Sequence, residues 1–379
     1  MVIVAGAAFM LLSPTGFGTP NPSPDRVALP DVVRRTPPLP SAPAASGDAC
    51  SATVQGSDAA AVEAAVSAGG GGTVCFPAGR YEGEFNASVA GQTWRLADDA
   101  VLAGHVTISA PDVWILGGQV ELPTEDTFAE SITVDADRAT IEGMTFHGGG
   151  LDVSIKGRDG TQVLDNSFSG QSGTAVFVWG EGRGADDTLI EGNTIDESAG
   201  RDASPISSRA AENESDGIVN RRITVRGNTI NQGDATTGHF GVELKLSPDA
   251  LIVDNEIRGG KALISLPDSD NAIVSRNRLD LTGSAAWGVE LANSNDATIE
   301  DNTIVGDGPG SGDVAVSMNS GSLRALVTAN SVRALSTLVN LSGDNHRIID
   351  NCVVDIGALT AYRSSAGPNV DVERNGPCP

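Results

Sequence analysis

Thr188-Leu-Ile-Glu-Gly-Asn-Thr-Ile195 returns as Ile223-Thr-Val-Arg-Gly-Asn-Thr-Ile230, and again as Leu251-Ile-Val-Asp-Asn-Glu-Ile257. Ala272-Ile-Val-Ser-Arg-Asn-Arg-Leu279, Ala297-Thr-Ile-Glu-Asp-Asn-Thr-Ile304, Ala325-Leu-Val-Thr-Ala-Asn-Ser-Val332 and Arg347-Ile-Ile-Asp-Asn-Cys-Val353 continue the phrase. The shared asparagine falls at 193, 228, 255, 277, 302, 330 and 351, with gaps of 35, 27, 22, 25, 28 and 21 residues. Those gaps have the size of a solenoid coil. Worn copies extend the array upstream, at Val113–Val120, Ala139–Phe146 and Gln162–Phe168. Counted from Leu116 to Val372, ten turns average between 25 and 26 residues.

The apolar residues alternate within each copy, which is the pattern of a strand with one face buried. Equivalent residues of successive coils then stack at the strand spacing of about 4.8 Å, and a stacked asparagine can bond from coil to coil. The repeated asparagine is therefore expected to be structural. Composition agrees with an all-β chain: aromatics are only 4%, while glycine and β-branched residues recur. Against 24 basic residues stand 49 acidic ones, a net charge of −25, which would repel a nucleic acid. Lysine occurs only at 156, 245 and 261, an arginine bias that genome composition or a salt-tolerant surface would explain. The four cysteines lie near the two ends of the array, Cys50 and Cys75, then Cys352 and Cys378. Their spacing fits no zinc or redox motif, and two disulfides in an oxidising compartment are expected.

Residues 1–49 read differently. Val2–Leu12 is an apolar run of eleven residues with the length of a signal-peptide core, and Ser13–Gly47 is a proline-rich linker. Secretion or cell-surface display is expected. From residue 50 onward the solenoid begins. Ser57–Ala68 reads as a short helix with Ser57 as its N-cap, placed to shield the first open strand edge. The alanine-rich helix, a glycine run and Gly72-Thr-Val-Cys-Phe-Pro-Ala-Gly-Arg-Tyr81 together resemble the opening of the pectin-lyase-like superfamily. The asparagine repeats are similar as well. The resemblance spans residues 50–379 and implies a single-stranded right-handed parallel β-helix with a short N-terminal capping helix.

The strand upstream of each asparagine is where chemistry is expected. Stacking Leu151–Lys156, Ala175–Trp179, Gly241–Leu246, Leu263–Leu266, Gly288–Ala292, Val314–Met318 and Leu338–Leu341 yields two outward columns. One holds Ser154, Phe177, Glu243, Ser265, Glu290, Ser317 and Asn340; the other Lys156, Trp179, Lys245, Pro267 and Ala292. Val242, Leu244 and Leu246 should face inward. Glu243 and Glu290 occupy two copies of Gly-Val-Glu-Leu, placed two coils or about 10 Å apart, near the carboxylate separation of inverting glycosidases. His239 or Lys245 offers an alternative base for β-elimination. Phe177 and Trp179 suit sugar stacking, with Lys156, Arg201 and Arg209 as further substrate contacts. Interruptions at 180–187 and 196–220 are expected to wall the groove.

The superfamily includes polysaccharide lyases, glycoside hydrolases and epimerases, so the resemblance implies a secreted protein acting on an extracellular polysaccharide. A non-catalytic glycan-binding or structural β-helix is the alternative. Motifs of polygalacturonases, pectate lyases and alginate epimerases are absent. Gly241–Leu246 resembles the calcium-binding strand of alginate-lyase-like β-helices, yet Pro267 and Leu291 stand where that family carries basic residues. No cofactor is expected; calcium at Asp186, Asp187, Glu243 and the Asp268–Asn271 turn is the exception considered.

Overall fold

The computed structural model describes residues 49–122, 129–196, 203–210, 217–232, 240–283, 286–319, 321–366 and 369–378. Their strands lie in three parallel ladders of a right-handed β-helix. The first ladder has 14 strands, running from Ala52–Thr53 to Asp371–Glu373. The second follows each asparagine turn, for example Thr194–Asp196, Thr229–Asn231 and Glu256–Arg258. The third holds Glu130–Val134, Leu151–Lys156, Thr174–Trp179, Ile206–Arg209, Phe240–Leu244, Ala262–Pro267, Trp287–Ala292 and Val314–Met318. The second and third fuse in the last two coils, where Ser331–Gly343 and Cys352–Ala366 run as single strands.

Register in the first ladder is centred on Ile115, Ile141, Val163, Ile190 and Val225, and ends on Val372. The centre thus lies one residue before Leu116, the position chosen from sequence. Ile115, Ile141, Val163, Ile190 and Val225 are fully buried, and the interior is a continuous stack of aliphatic side chains with Phe146 over Phe168 at 4.7 Å. Asn166, Asn193, Asn228, Asn255, Asn277, Asn302, Asn330, Asn351 and Asn375 form the expected stack. From Asn193 onward each Oδ1 accepts the backbone N–H and the side-chain N–H of the asparagine one coil earlier, as at Asn255→Asn277 with 3.0 and 2.9 Å, while Asn166 Oδ1 accepts the Met144 backbone N–H. Its Nδ2 also donates to a backbone carbonyl, Asn277 to Ile252 at 2.9 Å. A second line, of serines, runs through Ser247, Ser269, Ser294 and Ser322 at the turn leading into the first ladder.

The turns explain much of the arginine bias. Asp112–Arg138, Asp187–Arg222, Asp254–Arg276, Asp296–Arg324 and Asp350–Arg374 are bidentate pairs between adjacent coils. All ten residues have φ between 52° and 60°. Turn positions fixed in the left-handed region stack directly, and a planar guanidinium fork fits the carboxylate beneath it where an ammonium does not. The Arg324 guanidinium holds Asp296 below the usual carboxylate range.

The N-terminal coil is covered by a helix, Ala59–Gly69, which buries Val62, Ala65 and Val66. Its N-cap is Asp58, whose Oδ1 accepts from the Ala61 N–H at 2.9 Å; Ser57 lies one residue outside. Cys50 pairs with Cys75 and Cys352 with Cys378, and no described cysteine is free. No helix among the described residues is long and apolar enough to cross a membrane. Residues 1–48, with the apolar run and the whole proline-rich linker, lie outside the described residues.

Two expectations about the coils change. The segment 196–220 is not one surface loop, because Ile206–Arg209 inside it is a full rung of the third ladder. Leu246 does not point into the core: the strand ends at Leu244, and Leu246 is half-buried in a turn with φ 53°.

Candidate functional site

The outward face of the third ladder carries most of the sequence-predicted residues. Pairing aligns Thr133, Ser154, Phe177, Ser207, Glu243, Ser265, Glu290, Ser317 and Asn340 rung by rung. Ser207 fills the rung missing from the sequence-derived column. In the neighbouring column Lys156 pairs with Trp179 and Trp179 with Arg209, while the Lys245 N–H bonds the Ser208 carbonyl one coil earlier. Lys156 and Glu290 are five rungs apart, about 24 Å at the usual strand spacing. The face is long, and suits an extended ligand better than a small one.

Glu243 and Glu290 sit on alternate rungs with Ser265 between them. Glu290 is 9% exposed; Ser265 Oγ donates to its Oε2 at 2.8 Å and the Asn319 amide donates to Oε1. Glu243 accepts from Ser207 Oγ at 3.4 Å and Ser204 Oγ at 3.5 Å, and faces the Arg209 guanidinium at 3.9 Å. Both carboxylates are thus oriented by neutral hydroxyl or amide donors, with the Arg209 guanidinium also beside Glu243. Phe177 and Trp179 meet edge to face at 5.5 Å, both half-buried. Two aromatics passed over in the sequence, Phe240 and Trp287, stand three residues ahead of the carboxylates. Lys261 Nζ lies 5.3 Å from the Trp287 ring centroid. The signal was present in the repeat itself, which reads aromatic-Gly-Val-Glu-Leu in both copies.

Toward the N-terminus the same face carries a linked set of polar groups. Lys156 Nζ is 2.9 Å from Glu130, Thr133 Oγ1 donates to Glu130 at 2.6 Å, and His105 bridges Thr133 at 2.8 Å and Glu84 at 3.1 Å. Burial alone would raise Glu130, but Thr133, Lys156 and Ser154 hold its carboxyl below the ordinary value. Lys156 is therefore tied to a carboxylate as well as facing the groove. His239 and Arg201 lie outside the described residues, as do 197–202 and 211–216, the loops expected to wall the groove. The 180–187 segment lies in the turn toward the first ladder, where Arg183 ties to Gly157 and Asp137 two coils back.

The proposed calcium ligands do not form one set. Asp187 is bound bidentately by Arg222, Asp186 accepts from the Arg221 backbone N–H at 2.8 Å, and both lie in that turn rather than on the face of Glu243. In the Asp268–Asn271 turn, Ser269 belongs to the serine line and Asp270 accepts from the Asn295 N–H at 2.7 Å. Among the described residues no group of three or more histidine, cysteine or acidic side chains is placed to hold a metal.

A family profile described as "Periplasmic copper-binding protein (NosD)" matches residues 185–355, less than half of the chain. Within that segment the described soft or imidazole donors do not fit copper. Met318 is fully buried in the core, Cys352 is in a disulfide, and both ring nitrogens of buried His346 bond backbone, to Ala325 N and Ser342 O. No curated protein matches the chain in sequence. Among solved structures, PfbA, a surface adhesin of Streptococcus pneumoniae, superposes with TM-score 0.60 at 12% identity, covering 82% of this chain and 89% of the adhesin. The A-module of the Azotobacter vinelandii mannuronan C-5 epimerase AlgE6 gives 0.58 at 16%, covering 85% and 94%. The catalytic domain of a GH87 α-1,3-glucanase, in complex with tetrasaccharides, gives 0.56 at 13%, covering 88% and 70%. At these identities the likeness is one of fold, the parallel β-helix.

Proposed function

We propose that this protein works outside the cytoplasm on an extracellular polysaccharide bound along the third ladder, and that it cleaves the chain hydrolytically. Two disulfides agree with folding in an oxidising compartment. The observation that carries the reading is the pair Glu243 and Glu290, on alternate rungs of one face and each held by hydroxyl or amide donors. Backbones two rungs apart stand about 10 Å from each other, and side-chain rotation brings the carboxyls into the inverting range of roughly 6.5–9.5 Å. Glu290, the more enclosed, acts as general acid on the leaving oxygen; Glu243 activates water from the other side. Trp179 and Phe177 supply sugar-stacking surface beside them. Elimination by Lys245 or His239 is the less favoured chemistry, because the neighbouring cations Lys156 and Arg209 already face carboxylates and would neutralise a uronate poorly.

Incubation of the purified protein with a panel of acidic and neutral polysaccharides tests this. New reducing ends without ultraviolet-absorbing unsaturated product are expected, with kcat lowered at least about 100-fold in Glu243→Gln and in Glu290→Gln. Unsaturated product would mean a lyase. A second reading, glycan binding without turnover, is favoured by the way Glu243, Glu290, Lys156 and Arg209 are each engaged within the protein. Binding on a glycan array that survives both substitutions, with no product from any substrate, would establish it.

A further inference from the structure

We infer that the groove reads a linear 1,4-linked glycan in a two-fold extended form, laid parallel to the solenoid axis with every second sugar on an equivalent subsite. This rests on the glycan-groove reading above and deepens it. Phe240-Gly-Val-Glu-Leu244 and Trp287-Gly-Val-Glu-Leu291 are the same phrase. Their residues are in register across one intervening strand: Phe240 pairs with Ala262 and Ala262 with Trp287, Glu243 pairs with Ser265 and Ser265 with Glu290. Two half-buried aromatic platforms, each with its own carboxylate three residues on, therefore repeat every two rungs, about 10 Å. The rung between them carries only the small, buried side chains of Ala262 and Ser265 at these positions.

A sugar ring in an extended, equatorially 1,4-linked chain is close to one rung long, and each ring is turned by half a revolution from the last. Alternate sugars then present the same face and the same edge, at a repeat near two rungs. One such sugar stacks at Phe240 and the next but one at Trp287, while the turned sugar between them passes over Ala262 and Ser265. A 1,3-linked chain coils and does not keep this repeat. Gly241 and Gly288 enforce the arrangement. A β-carbon at Gly241 would approach Ile257 and the Leu263 carbonyl to 2.6–2.7 Å, and one at Gly288 would approach the Ala315 carbonyl to 2.7 Å. A side chain at either place would push its aromatic out of line with its carboxylate.

Calorimetric titration of the Glu290→Gln protein tests the inference with two series of two to six sugars. One is 1,4-linked (glucose, N-acetylglucosamine and mannuronate), the other 1,3-linked glucose. Three sugars are the shortest chain that reaches both platforms. Affinity for at least one 1,4-linked series should step up about five- to tenfold between two and three sugars. The step should vanish in Phe240→Ala and in Trp287→Ala, with circular dichroism confirming the fold of each. A step that survives both substitutions, or equal affinity for the 1,3-linked series, would overturn the two-rung register and leave glycan binding standing. Absence of binding to every glycan, in this protein and in the unsubstituted chain alike, would overturn the groove reading itself.

Discussion

Asp152 is the most deeply buried carboxylate among the described residues. It is fully buried at the start of the strand Leu151–Lys156, with Ser131 Oγ donating to Oδ1 at 3.0 Å. Burial pushes its carboxyl up to about 8, against the lowering pull of Gln171 and Ser131. Its Oδ2 has no hydrogen-bond partner at good geometry, nor do the two amide atoms of buried Gln171. A proton on Asp152 removes the conflict, since a neutral acid can pair with an amide through one donor and one acceptor on each side. The sign of the linkage follows. Below about pH 4 the folded and unfolded states both hold the proton; between about 4 and 8 only the folded state does. Stability should therefore fall as pH rises through that window, at up to about 1.4 kcal/mol per pH unit from this group, and level off above it. Asp152→Asn keeps the shape and cannot ionise, so its urea-unfolding free energy should lose that slope and exceed the parent's at pH 8. Parallel curves for the two proteins would show that Asp152 does not titrate there. His346 works in the opposite sense. Burial lowers it, so it favours the fold above its ordinary value and withdraws that support as pH falls through the range below.

At the scale of the turn, the asparagine stack is cooperative by construction. Removing the Asn277 side chain takes the acceptor from the Asn255 backbone N–H and the Asn277 donor from the Ile252 carbonyl, while Asn255 Nδ2 keeps the Val225 and Val253 carbonyls. Orphaned buried groups cost about 1–3 kcal/mol each, less what water or relaxation recovers. Asn277→Ala should destabilise the chain by roughly 2–4 kcal/mol in denaturant unfolding, whereas a loss under about 1 kcal/mol would mean the stack is only a passenger on the ladders. This turn was legible in the sequence because one residue type at one position does one job in nine successive coils. The third ladder was less legible for the same reason reversed. Its outward residues change from coil to coil, and the strand Ile206–Arg209 was hidden in what looked like an insertion because it reads Ile-Ser-Ser-Arg, with one apolar residue and no alternation to mark it. Register alone could not place Ser207, and nothing in the sequence connects Asn319 to Glu290. The arginine pairs were invisible for a different reason: the alternation of aspartate and arginine crosses coils, so no local window contains it.

At the scale of the whole molecule, a solenoid is stabilised by nearest-neighbour stacking, so its ends are its weak points. The two ends are closed differently. The first coil has the helix Ala59–Gly69 laid over its apolar interior. The last coil has no described helix, and Leu359, which continues the line of fully buried Leu338, is 36% exposed. What holds the last coil is the first-ladder strand Asp371–Glu373 together with the Cys352–Cys378 disulfide, which closes a loop of 26 residues. Loop-closure entropy makes such a bond worth roughly 3–4 kcal/mol. Because each coil contacts only its neighbours, that stabilisation should be local. Cys352→Ser with Cys378→Ser should free the amides of residues 347–378 to exchange hydrogen much faster than in the parent. Protection at Ile252 and Ile299, several coils away, should remain nearly unchanged. Opening the Cys50–Cys75 bond should do less, since that end keeps its helix. Uniform loss of protection along the chain would show instead that the solenoid unfolds as one unit, and that the terminal disulfide guards the groove rather than only the end.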